Sequence, residues 1–281
     1  MTEFQHVKVG GTNVRYFQAG PADSTSAVVF VHGNPGSADD WIELGGALAG
    51  LSRVVAPDMP DFGETLAPAG FVHSVETYAG FLEEVLQALH VDRVHLVLHD
   101  FGGPFGLAWA GQHAERLKSV TLINTGLLPG YRWHTLARVW RTKGLGEIFQ
   151  AITTRQGFRL ITNLTEPRGL PRHFVDTTFD HYDARTKRAV LKLYRATDDP
   201  GAGTAELTKA LSQHDIPALV IWGEDDRYIP ASFADRQRDA FPDADIHLLP
   251  VSGHWPHADA PDRVQRLLVE FISDRGVDNS G

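Results

Sequence analysis

Asp100 lies in the stretch LVLHDFGG (96–103), where an apolar run gives way to a glycine-rich turn. A side chain at a sharp strand-to-helix turn is held exposed by a constrained backbone, which is the placement a nucleophile needs. A carboxylate there suits displacement at an sp³ carbon. Attack at such a carbon yields an ordinary alkyl ester, whereas attack on an ester carbonyl yields an energy-rich anhydride. The alternative role for this Asp is to cap the helix that follows. Three other stretches carry complementary chemistry. His32-Gly33-Asn34-Pro35-Gly36 can aim a backbone N–H at a developing oxyanion. WGEDDRYIP (222–230) sets Glu224, Asp225 and Asp226 just past an apolar run, where one carboxylate can orient an imidazole. SGHWPH (252–257) offers His254 and His257 as bases. Their order along the chain is nucleophile, acid, histidine.

Positioning these groups requires a scaffold with strand ends brought together. Ala27–Val31, Arg53–Ala56, Val94–Leu98, Val120–Ile123, Ala218–Trp222 and Ile246–Leu249 are short apolar runs, as expected of parallel strands covered on both faces. Val7–Val9 and Val14–Phe17 flank a Gly-Gly pair and fit an N-terminal hairpin. Val75–Leu89 carries apolar residues at helical spacing, and Pro104–Gly111, Pro230–Phe241 and Pro261–Ser273 also suit helices. The alternation predicts an α/β fold with a mostly parallel central sheet. It stops after Ile123, the end of the sixth strand. From about Leu127 to Gln213 only helical patterns occur, at Arg132–Arg141, Phe149–Leu160 and Arg185–Ala196. The expected organisation is a core from 1–126 and 214–281 with a helical cap, 127–213, over the carboxyl edge of the sheet.

The 281 residues include 35 acidic and 26 basic side chains, a net charge of −9, and 42% are hydrophobic. That charge argues against nucleic acid or an anionic membrane as partner. There is no cysteine, which excludes disulfides, thiolate catalysis and cysteine metal sites. With no secretory-type segment at the start, a cytoplasmic location is expected, and the terminal GVDNSG is expected to fray. No HExxH occurs among the 14 histidines, so a zinc site is not expected, and carboxylate displacement chemistry needs no metal or organic cofactor. Oligomeric state is not legible.

HGNP, HDFGG, the carboxylate four residues before Pro230 and the SGH loop together resemble the α/β-hydrolase superfamily over nearly all of residues 5–274. HGNP with HDFGG resembles its Asp-nucleophile branch, the epoxide hydrolases and haloalkane dehalogenases. The resemblance implies Asp100 as nucleophile, Asp226 as the orienting acid, His254 as base, and the backbone amides of Asn34 and Phe101 as the oxyanion hole. Water activated by His254 would then cleave the Asp100 ester. Asp58–Thr65 resembles the family's glycine-rich loop, with Asp61 where glycine is usual, and is assigned a structural role. Dehalogenases of the family place Trp directly after the nucleophile to bind halide, and this chain has Phe101. Epoxide hydrolases use cap tyrosines to hold the ring oxygen; Tyr194-Arg195 matches one, and Phe149 stands near the place of the other. The reading that follows is epoxide hydrolysis to a vicinal diol, with haloalkane dehalogenation, or a special ester or lactone substrate, as the alternative. Tyr131, Trp133, Trp140, Phe149 and Trp255 are candidate contacts to a small apolar substrate. Tyr131 and Tyr182 are substitutes for the missing tyrosine.

Overall fold

In the computed structural model, which describes residues 3–275, eight strands form one sheet. They are β1 (Glu3–Val9), β2 (Thr12–Ala19), β3 (Ser26–Val31), β4 (Arg53–Pro57), β5 (Arg93–His99), β6 (Leu117–Ile123), β7 (Ala218–Gly223) and β8 (Asp245–Leu249). The spatial order is β1-β2-β4-β3-β5-β6-β7-β8. β2 pairs antiparallel with β1 and with β4, and the remaining pairs are parallel. The chain runs from β3 to β4 on one side and then crosses to β5 on the other. This reversal opens a crevice at the carboxyl ends of β3 and β5, the usual ligand position in such sheets. Val31 pairs with Leu98, so the turns after the two strands emerge side by side.

Although the central strands are nearly continuous apolar runs, their side chains alternate between two buried layers. Val29, Val31, Leu96, Leu98, Val120 and Leu122 face α2 (Val75–Ala88) and α3 (Gly102–Ala110). Val28, Phe30, Val97, Leu219 and Ile221 face α1 (Ile42–Leu48) and α11 (Pro261–Ser273). Local sequence fixes the helix starts. The Ser74 hydroxyl accepts from the Thr77 amide at the head of α2, and Pro261 occupies the first turn of α11.

Between β6 and β7 the described residues form six helices and no strand: α4 (Thr135–Arg141), α5 (Leu145–Ile152), α6 (Arg155–Thr165), α7 (Arg172–Asp180), α8 (Ala184–Ala196) and α9 (Thr204–Leu211). The single helix expected at Phe149–Leu160 is two. Thr154 turns its hydroxyl onto the Gly157 amide and starts α6 afresh, so the Thr153-Thr154 pair breaks the run. The segment is tied to the sheet by Thr186, whose hydroxyl donates to the Asp61 carbonyl at 2.9 Å, and by the His181–Asp39 pair at 3.2 Å. The helix expected at Pro230–Phe241 is instead two short 3₁₀ turns, Ala231–Phe233 and Asp235–Asp239. The cause is Gln237. Its side chain donates to the Phe233 carbonyl, which its own amide would take in an α-helix, and it also bonds both the amide and the carbonyl of Leu127. A short α10 (Pro256–Asp259) follows the SGH loop. The 276–281 tail expected to fray lies outside the described residues.

Candidate active site

Asp100 follows the last residue of β5 and adopts a left-handed backbone, φ 48°. The strain is held by close packing on both sides. A Cβ on Gly102 would strike the Val31 carbonyl, and one on Gly33 would strike the Asp100 side chain. The Thr125 hydroxyl donates to the Asp100 carbonyl at 2.6 Å. Leu98 occupies the upstream position where the serine version of this turn has glycine. The helix accommodates it: Gly106 on α3 sits directly against the Leu98 side chain, so the missing volume has moved to the opposite element.

The Asp100 carboxylate is clamped from two sides. Oδ1 accepts from the Asn34 amide at 2.6 Å, and the Phe101 amide also favours its ionised form. Oδ2 lies 3.4 Å from His254 Nε2. Burial alone would raise the Asp100 pKa, but the hydrogen bond and charge of His254 hold it below the usual carboxylate range. His254 Nδ1 lies 2.8 Å from Asp226 Oδ2. Burial opposes a charged imidazole, yet Asp226 and Asp100 together hold the His254 pKa above the histidine range. Asp226 is itself fixed through Oδ1, which accepts from the amides of Tyr228 at 2.7 Å and Ile229 at 3.0 Å.

The other carboxylates and histidines of these loops are placed elsewhere. Glu224 and Asp225 are exposed. His257 is buried between the rings of Trp41 and His99, with neither nitrogen hydrogen-bonded. His99 donates from Nε2 to the His254 carbonyl at 2.8 Å, and burial, followed by the nearby His254 charge, lowers its pKa to about 4. Ser252 donates to Asp259 at 2.6 Å. Asp58 is fully buried and accepts from the Ala38 and Glu64 amides and from Arg15. Asp61 takes φ 65° in place of glycine, and its carboxylate bonds the Ala67 amide and His73.

A cavity of about 500 Å³ opens over Asp100, lined by both the sheet edge and the helical segment. Tyr131, Trp133, Trp140, Phe149, Trp255 and Tyr194 all contribute to its wall. Their polar atoms are differently engaged. Tyr131 donates to the Tyr228 carbonyl at 2.9 Å, Tyr182 donates to Gln150 at 2.9 Å, and Trp133 donates to the Thr197 carbonyl at 3.1 Å. These bonds take the hydroxyls of Tyr131 and Tyr182 away from the task proposed for a second tyrosine. Trp140 Nε1 is buried without a partner, and the Asn34 side-chain amide is buried beside the Tyr194 phenol. The Tyr194 ring packs edge-on against Phe101, the residue after Asp100, at 5.0 Å. Burial and then the Asp100 charge hold its phenol well above its ordinary pKa, so it stays protonated.

Four residues escaped the sequence reading. Asn124, at φ 46° just after β6, donates to Asp226 Oδ2 at 2.7 Å and to the Gly253 carbonyl at 3.1 Å, and accepts from the Gly223 amide. Its only signal was an Asn ending an apolar strand. Tyr228 stacks edge-on to His254 at 5.1 Å. His134 lines the cavity and heads α4, where Nδ1 accepts from the Ala137 amide at 3.2 Å. That bond requires Nε2 to carry the proton of the neutral ring, and burial keeps the ring neutral, with its pKa lowered to about 4. Glu166 follows α6 and accepts from the His254 amide at 2.8 Å. Nothing in the local sequence marks either His134 or Glu166. Among the described residues no group of three or more His, Asp or Glu is placed to hold a metal ion, and no helix is long and apolar enough to cross a membrane.

The family model of the alpha/beta hydrolase fold matches residues 26–261. Haloalkane dehalogenase 2 of Mycobacterium tuberculosis is 30% identical over 267 residues, covering 86% of each chain. Among solved structures, the haloalkane dehalogenase DbeA from Bradyrhizobium elkani USDA94 superposes with TM-score 0.85 at 20% identity, over 98% of this chain and 99% of that one. The epoxide hydrolase CorEH superposes with TM-score 0.81 at 18% identity, again over 98% and 99%.

Proposed function

Because the chain belongs to the α/β-hydrolase superfamily, on its dehalogenase- and epoxide-hydrolase-like side, we propose that it hydrolyses an epoxide to a vicinal diol through a covalent ester on Asp100. One observation carries this reading. The Asp100 carboxylate is held between the Asn34 amide and His254, beneath a cavity wall that carries the protonated Tyr194 phenol. An Asp100 oxygen attacks an epoxide carbon, the ring C–O bond breaks, and the departing oxygen takes the Tyr194 proton. The neutral His134 ring offers a second N–H donor on the same cavity wall, where the family's other tyrosine is absent.

Esterification removes the Asp100 charge. His254 thereby loses one of the two negative neighbours that raise its pKa, releases its proton to solvent and can then accept one from the hydrolytic water, regaining the solvent proton once Asp100 is freed as a carboxylate. It deprotonates a water that attacks the Asp100 carbonyl carbon. The Asn34 and Phe101 amides hold the resulting oxyanion, each such donor being worth about 3–4 kcal/mol of barrier. Collapse expels the diol oxygen, which takes the proton from His254. The proton left on Asp100 returns to the Tyr194 phenolate.

A second reading rests on different atoms. The N–H groups of Asn34 and Trp140 belong to residues lining the same cavity and suit a departing halide. Against it, the Phe101 side chain offers no polar hydrogen. A panel of terminal epoxides and primary haloalkanes separates the two. The expected result is diol from epoxides without halide release; free halide from haloalkanes with no diol would overturn the epoxide reading.

A further inference from the structure

Helix α6 meets the cavity and the base at once. Phe158, Ile161 and Thr162 on this helix line the cavity. At its end the chain delivers Glu166, only 2% exposed, onto the loop after β8. Glu166 Oε2 accepts from the His254 amide at 2.8 Å, while Oε1 is buried with no partner. A Cβ on Gly253 would strike this carboxyl, so the loop can approach Glu166 this closely only with a glycine at 253. The same loop is held from its other side by Asp259, which accepts from the Ser252 hydroxyl at 2.6 Å and the Gly253 amide at 2.8 Å.

An unpaired buried carboxyl oxygen is unfavourable for folding and calls for a reason beyond stability. The groups around this one are His254 on the loop, Asp259 at the end of α10, Asp226 and Tyr228 after β7, and Arg168 two residues along, which bonds the Val251 carbonyl at 2.7 Å. Burial, reinforced by Asp226 and Asp259 and opposed by His254, raises the Glu166 pKa to about 7. The surroundings thus do little to reward a carboxylate, whereas the single bond it makes lands on the backbone of the base.

We propose that Glu166 is a positioning residue for ester hydrolysis: through the His254 amide it fixes the imidazole between Asp226 and Asp100, and ties the base to the helix that lines the substrate cavity. The proposal rests on His254 acting as base in the second half-reaction. Alkylation of Asp100 does not need that base, so the two half-reactions respond differently. Glu166→Leu fills the buried space and removes the acceptor; Glu166→Ala removes both; Glu166→Gln keeps an acceptor oxygen.

Single-turnover kinetics with an accepted epoxide measure each half-reaction, and proton NMR of the free enzyme follows the downfield Nδ1–H signal of the His254–Asp226 bond. Glu166→Leu is expected to slow ester hydrolysis about tenfold or more while alkylation stays within about threefold. Its downfield signal weakens or vanishes, and Glu166→Gln restores both signal and rate. An unchanged hydrolysis rate in Glu166→Leu, or equal slowing of both half-reactions, overturns the proposal. So does an unchanged downfield signal in Leu or, should Leu not fold, in Ala. The NMR readout needs no substrate. A signal that depends on Glu166 in a protein that forms no ester would refute the epoxide reading and leave the positioning role standing.

Discussion

His254 bonds Asp226 through Nδ1 and lies 3.4 Å from Asp100 through Nε2, and the choice of Asp226 over its neighbour Asp225 has a simple physical basis. Asp226 turns inward onto the amides of Tyr228 and Ile229 while Asp225 stays exposed. Tyr194 is the residue on which the leaving-group argument depends. Tyr194→Phe keeps the ring packed on Phe101, Trp133 and Trp140 and removes only the hydroxyl. The alkylation rate is expected to fall about 100-fold, with ester hydrolysis little changed, as read by rapid-quench single turnover. An unchanged alkylation rate would remove the phenol from the mechanism. Asp100, Asp226, His254, Asn34 and Phe101 could be singled out in the sequence because each sits just past the end of an apolar strand, beside turn glycines. Asn124 and Glu166 could not, because their partners lie 102 and 88 residues away and neither belongs to a local pattern.

Elements position these residues through close approaches that single substitutions can test. Gly106 on α3 accommodates Leu98 on β5, so Gly106→Ala forces overpacking and is expected to lower stability by about 1–3 kcal/mol. Adding Leu98→Ala should then recover part of the loss, a coupling visible in denaturant titrations as non-additivity; strictly additive effects would refute the compensation. Docking of α7 is expected to depend on pH. The His181 pKa is raised chiefly by its hydrogen bond to Asp39, so its contribution is full below 6.5, the ordinary value, and fades as pH rises through the raised one. Burial would raise the Asp39 pKa, but the bonds from His181 and Arg15 depress it, so its contribution is lost only as pH falls well below 3.8. Hydrogen exchange in α7, corrected for intrinsic rate, should therefore accelerate between about pH 6 and pH 9, and His181→Gln should abolish the difference. Equal protection at both pH values would contradict this. The strands were legible from their apolar runs. The break at Thr153-Thr154 and the 3₁₀ turns after Pro230 were not, because side-chain bonds made by Thr154 and Gln237 override the helical pattern.

At the scale of the whole molecule, the reversal of strand order at β3 and β5 brings Asn34 to Asp100, and the helices between β6 and β7 close a cavity of about 500 Å³ over the pair. The alternation of apolar runs and helical patterns made this architecture readable in advance. Which side chains line the cavity depends on how α4 to α8 pack, and periodicity carries no such information. The protein thus concentrates charge at one strand-end cluster and surrounds it with aromatic wall, a setting in which removing one charge, by esterifying Asp100, changes the behaviour of its neighbour His254. That sequence of events is the central claim. The most direct test is intact-protein mass spectrometry of His254→Gln after exposure to an epoxide turned over by the wild type, followed by peptide mapping. A mass increase equal to the whole epoxide, located on Asp100, is the predicted result; turnover without any adduct, or an adduct on another residue, would contradict it.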